Sequence, residues 1–92
     1  MPRRETKPRK IVRLSGFDEY VGRQLKVRRQ QLELTQSDLA KKLGVTPQQI
    51  QKYETGVTRL SAGTIFLAAA MLSVPVTFFV AGLRIGGQLQ EY

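Results

Sequence analysis

Between Asp18 and Leu32 apolar positions recur three and four residues apart, at Tyr20 or Val21, Leu25, Val27 or Arg28, and Leu32. That spacing lays one side of an α-helix against a core and predicts a first helix over about Asp18 to Leu32. Ser15 or Asp18 is available to cap it. Gly22, inside the helix, costs up to about 1 kcal/mol relative to alanine, which is tolerable where a neighbouring element packs closely. Thr35 then caps a short second helix whose Leu39, Ala40 and Leu43 share a face, and Gly44 ends it as a residue free to take positive φ. Thr46 followed by Pro47 opens a third helix, because proline at the first helical position gives up no needed hydrogen bond. Ile50 and Tyr53 form its apolar edge before Gly56.

From Leu60 to Leu83 there is no charged residue. The run AGTIFLAAAMLSVPVTFFVA, about 20 residues, is long enough to be weighed as a membrane span. Pro75, however, disfavours helix at Val74 and sits well at the start of a new one. Two helices are therefore expected, about Ser61 to Leu72 and Pro75 to Val80, and no membrane partner. The whole predicts an all-α fold of five short helices around one core, since 92 residues leave room for one domain and no separate ligand-sensing unit.

Charge changes this picture. Fifteen Lys and Arg against seven Asp and Glu give a net +8, which points to a polyanionic partner. Residues 1 to 13 (MPRRETKPRKIVR) carry +5 of it, and with Pro2 and Pro8 among repelling charges the stretch 1–16 is expected to be a mobile basic arm. No apolar h-region follows those charges, so it does not read as a secretory signal, and a cytoplasmic location is expected. Residues 17–83 form the expected domain, and 84–92 (RIGGQLQEY) a short tail. With no Cys and no His, the chain lacks disulfides, Cys/His zinc sites, thiol nucleophiles and an imidazole base. Neither an enzyme nor a cofactor or metal site is expected.

Two short helices joined at a glycine, with Ala40, Gly44 and Ile50 at the crossing, make helix-turn-helix geometry, although an ordinary αα-corner uses the same pattern. On a helical wheel from Ile50, Thr46 and Tyr53 join it toward the core, Gln48, Gln51, Lys52 and Thr55 point away, and Gln49 lies on the flank. Glutamine bonds bidentately to adenine N6/N7 and lysine donates to guanine O6 or N7, so the outward face suits the major groove of double-stranded DNA. Gln36 opens the second helix, where free N–H groups and the positive dipole end suit a phosphate. Arg59, Lys41, Lys42, Arg28 and Lys26 are candidate contacts to the DNA backbone.

The segment VRRQQLELTQSDLAKKLGVTPQQIQKYETG (27–56) resembles the Cro/C1-type (XRE-like) helix-turn-helix regulators of phages and bacteria, through Arg29, Leu34, Thr35, Gln36, Leu39, Ala40, Gly44, Val45, Tyr53, Glu54 and Gly56 in register. With IFLAAAMLSVPVTFFV fitting the fourth and fifth helices, the resemblance covers about Phe17 to Leu83. It implies a lambda-repressor-like domain, a phosphate contact at Gln36, and a partly buried ion pair between Arg29 and Glu54. With the third-helix face and its flanks, the expected DNA contact set is Gln36, Thr46, Gln48, Gln49, Gln51, Lys52, Thr55 and Arg59. Pro47 departs from members with a hydrogen-bonding side chain there, which moves base reading toward Gln48, Gln49 and Lys52.

The fourth helix holds more apolar surface than one small core uses. Ile65, Ala68, Ala69 and Leu72 fall where the family packs inward, leaving Phe66, Leu67, Ala70 and Met71 outside, with Phe78 or Phe79 able to extend the patch. A homodimer across this surface is the expectation. The leading function is a sequence-specific regulator, a repressor in its simplest form, on a palindromic operator. The alternative is an antitoxin-like module whose apolar half binds a partner protein while the helix-turn-helix represses its own operon.

Overall fold

The computed structural model describes residues 16–83; the basic arm up to Ser15 and the tail 84–92 lie outside them. Four α-helices follow one another: α1 (Phe17–Gln31), α2 (Gln36–Leu43), α3 (Pro47–Thr55) and α4 (Ala62–Leu72). A 3-10 turn, Val76–Phe79, closes the domain. The expectation of five helices is thus corrected to four and one turn. Pro75 caps the turn in extended conformation, and bonds such as Phe78 N–H to the Pro75 carbonyl (2.9 Å) tighten it to three residues per turn. At that pitch Val76 and Phe79 fall on one side, and both pack into the core.

Local chemistry sets each boundary. The cap of α1 is Gly16 in left-handed conformation, with no side-chain bond, rather than Asp18. Its C-terminal end closes when Leu34 N–H donates back to the Arg29 carbonyl (3.0 Å), with Glu33 at φ 60. Leu32 becomes the C-cap and is exposed instead of continuing the apolar face. At α2 a reciprocal capping box forms: Thr35 Oγ1 accepts from Asp38 N–H and Asp38 Oδ2 accepts from Thr35 N–H, both at 2.9 Å. Those bonds from Thr35 hold the Asp38 carboxyl below its ordinary pKa, with Lys41 and Lys42 helping. A carboxyl lowered in the folded state favours folding above its ordinary range and loses that contribution as pH falls through the lowered value. Ser61 Oγ, accepting from Thr64 N–H at 3.1 Å, starts α4.

The core draws on every element: Val21 and Leu25 of α1, Leu39, Ala40 and Leu43 of α2, Ile50 of α3, Ala68, Ala69 and Leu72 of α4, with Leu60 and Phe79. Phe79 is wholly buried and stands edge-on to Phe78, ring centroids 5.6 Å apart at 87°. Helices α1 and α3 approach so closely that a Cβ on Gly22 would collide with the Tyr53 carbonyl oxygen and lie 3.1 Å from Glu54 backbone atoms.

A second set of contacts ties α1 to the end of the domain. Tyr20, Gln24 and Arg28, each one turn apart, donate to main-chain oxygens of Ala81, Phe78 (3.0 Å) and Leu72 (2.9 Å) respectively. One flank of α1 thus carries a ladder of polar side chains along the closing segment. No helix among the described residues is long and apolar enough to cross a membrane.

Candidate nucleic-acid interface

The turn between α2 and α3 is built by Gly44, at φ 73, and Val45, whose N–H donates to the Ala40 carbonyl at 3.0 Å. Thr46 then takes extended geometry (φ −88, ψ 157), and its Oγ1 accepts from Gln49 N–H at 3.1 Å. Thr46 is therefore an exposed N-cap and not the core-facing residue that the wheel from Ile50 implied, because a wheel applies only to helical φ and ψ. Buried Leu39, Ala40 and Ile50 lock α2 and α3 together.

From that anchorage α3 presents Gln48, Gln51, Lys52 and Thr55 to solvent, with Gln49 half-buried beside them. Thr55 Oγ1 donates to the Gln51 carbonyl at 3.0 Å, so its hydroxyl is partly occupied along its own helix. The glutamine amides and the Lys52 ammonium make a donor- and acceptor-rich surface without an acid on it.

Behind this face sits an ion pair. Arg29 Nε donates to Glu54 Oε2 at 2.6 Å and Nη2 to Oε1 at 3.1 Å, with the residues only 8% and 6% exposed. Arg29 Nη1 also donates to the Leu34 carbonyl (2.8 Å), joining α1 to α3 and to the α1–α2 turn at once. Gln36 enters the same network, its Nε2 donating to Glu54 Oε1 at 3.0 Å. One N–H of that amide stays available to an outside acceptor. The capping box uses the Asp38 N–H and places the Asp38 carboxylate at the N-terminus of α2, which weakens the attraction of that helix end for a phosphate.

The basic candidates divide. Lys26, Lys41 and Lys42 are exposed, whereas Arg28 spends its Nε on the Leu72 carbonyl and Nη1 on Gln31 (3.2 Å), a structural use. Arg59, in the loop after α3, pairs with Asp18 of α1. The α4 surface exposes Phe66, Leu67 and Met71 (64%, 40% and 42%) together with Ala70. Phe78 lies apart from them in burial, half-buried against the core with its carbonyl held by Gln24. The sequence marks Asp18 only as a cap candidate and Tyr20 only as an apolar position, and Gln24 not at all, since the partners they bond lie 41 to 61 residues away.

The α2–turn–α3 unit on a helical scaffold defines a helix-turn-helix protein. The helix-turn-helix family profile matches residues 25–79, and the chain belongs to that family, in its Cro/C1-type (XRE-like) branch. It is 44% identical over 69 residues to the uncharacterized transcriptional regulator in the ATPase CF(0) region of Rhodospirillum rubrum, covering 75% of this chain and 64% of that one. It is also 44% identical over 63 residues to an HTH-type transcriptional regulator of Sinorhizobium medicae, covering 68% of this chain and 45% of the relative. The chain thus spans about half to two thirds of the curated relatives it matches. The crystal structure of the clp gene regulator ClgR from C. glutamicum has the same fold, with a TM-score of 0.67 at 19% identity over 74% of this chain and 94% of that one.

Proposed function

We propose that this chain is a sequence-specific DNA-binding transcription regulator, acting as a homodimeric repressor on a roughly palindromic operator in the cytoplasm. The observation that carries the reading is the outward face of α3, where Gln48, Gln51 and Lys52 stand exposed with Gln49 beside them on a helix fixed from behind by buried Arg29 and Glu54. Side chains that read base edges discriminate only when their backbone is held in place, and the buried pair supplies that hold. Lys41, Lys42 and Arg59 supply the sequence-independent attraction.

Selection from a random duplex library tests this directly. Recovered sites are expected to be enriched by at least about 10³ over random duplex and to show two-fold symmetry. With about 6 to 10 phosphate contacts per dimer, log K falls with log salt at a slope of about −5 to −9. Gln48→Ala or Lys52→Ala costs about 1 to 3 kcal/mol on the selected site and much less on random DNA. Binding without enrichment defeats the reading.

The homodimer is supported by the apolar patch of Phe66, Leu67, Ala70 and Met71 on α4, a cluster that soluble monomers seldom leave in water. A two-fold contact there would set the two α3 helices about 34 Å apart, one helical turn of DNA. Sedimentation equilibrium is expected to give a dimer at micromolar concentration, and Leu67→Glu a folded monomer. A wild-type monomer at about 100 μM overturns the dimer; capture of a co-encoded protein by that same surface would favour the antitoxin-like alternative.

A further inference from the structure

The pairing of Asp18 with Arg59 has a chemistry that a simple surface ion pair lacks. Both contacts use one donor: Arg59 Nε bonds Asp18 Oδ1 at 3.0 Å and Oδ2 at 3.3 Å. A guanidinium carries five N–H groups in a rigid planar fork, and engaging Nε leaves the four on the terminal nitrogens. Among the described residues those nitrogens have no partner, and the Arg59 side chain is 69% exposed, against 26% for Asp18. Asp18 itself is fixed, in the first turn of α1, where the helix dipole favours its charge.

The loop bearing Arg59 is also tied to α3: Gly56 N–H donates to the Tyr53 carbonyl (3.1 Å) and Thr58 N–H to the Lys52 carbonyl (3.2 Å). Arg59 therefore leaves the end of α3 from a folded loop, held along one edge by a carboxylate on another helix, with its opposite edge open to solvent. We infer that Asp18 is a positioning residue for DNA binding, one that grips the inner edge of Arg59 so that its two terminal nitrogens are presented together to a phosphate of the backbone. The inference rests on the DNA-binding reading and adds a residue whose own charge repels DNA. An isolated arginine would have to order its long side chain on binding, and the carboxylate does so beforehand.

This arrangement predicts a change of sign. On the full chain and the selected operator, Arg59→Ala is expected to weaken binding about tenfold and to flatten the salt slope by about 2 per dimer. Asp18→Ala is expected to weaken binding about three- to tenfold while Arg59 is present, and to leave it unchanged or tighter in the Arg59→Ala background, where only the repulsive charge is lost. Asp18→Asn keeps an acceptor for Nε without the charge, and is expected to bind at least as tightly as the wild type. A purely structural Asp18 would weaken binding in both backgrounds, and a merely repulsive one would tighten it in both; either result overturns the inference while the operator, still selected by the wild type, leaves the DNA-binding reading standing. A wild type that enriches no site removes both together. Thermal melts of all four members of the cycle confirm that each is folded, the two side chains being at the surface.

Discussion

Gly22→Ala is expected to lower stability by about 3 kcal/mol, a fall in melting temperature of about 12 to 24 °C for a domain of this size. Within a helix the same change ordinarily gains about 1 kcal/mol from propensity, so the sign depends on packing. Here the added methyl points at the Tyr53 carbonyl and the Glu54 backbone, with no flexible side-chain end that could swing aside. Relief requires α1 to back away from α3. Arg29 lies seven residues further along the same side of α1, so that movement also stretches the pair to Glu54, whose shorter bond is 2.6 Å. The variant should therefore lose operator affinity as well as stability. A Gly22→Ala protein that melts at or above the wild-type temperature would show that α1 and α3 do not pack as described.

The second large effect belongs to that ion pair. Removing either partner leaves the other buried and uncompensated, and Glu54→Ala or Arg29→Ala is expected to cost about 2 kcal/mol or more. Glu54 accepts from Arg29 twice and from Gln36 once, so its loss strands donors from α1 and α2 together. Replacing both by apolar residues, Arg29→Met with Glu54→Leu, should recover much of the loss, because desolvation of two charges disappears with their attraction. Chemical denaturation of the two singles and the double gives the coupling. A value below about 0.5 kcal/mol would mean that the charges act independently despite their geometry.

Much of this architecture is legible in the chain because its signals are local. Thr35, Thr46 with Pro47, Gly44 and Gly56 mark helix ends through chemistry confined to three or four residues, and α2 and α3 begin and end within a residue of where those marks fall. Helical pitch separates buried Ala68, Ala69 and Leu72 from exposed Phe66, Ala70 and Met71, but on so apolar a helix it is family resemblance that marks which set faces inward. Where two conformations satisfy the same local rules, legibility ends. After Pro75 an α-helix and a 3-10 turn share their entry, and no residue in Val76–Phe79 chooses between them locally. Thr46 obeys the helical wheel numerically but has no helical backbone to place it on that wheel. Arg28 looks like any surface arginine until the end of α4 arrives beside it. The Arg29–Glu54 relation entered through family resemblance, since nothing within reach of either residue along the chain announces a partner 25 positions away.

The ladder of Tyr20, Gln24 and Arg28 grips main-chain oxygens, and every residue type has one of those. Its grip is therefore indifferent to spelling: the bonds themselves ask nothing of the side chains at Leu72, Phe78 and Ala81. It is core packing, not the ladder, that holds Leu72 and Phe78 to apolar types. The end of the domain is thus moored to the first helix, and a pull applied at Leu83 is borne crosswise by α1.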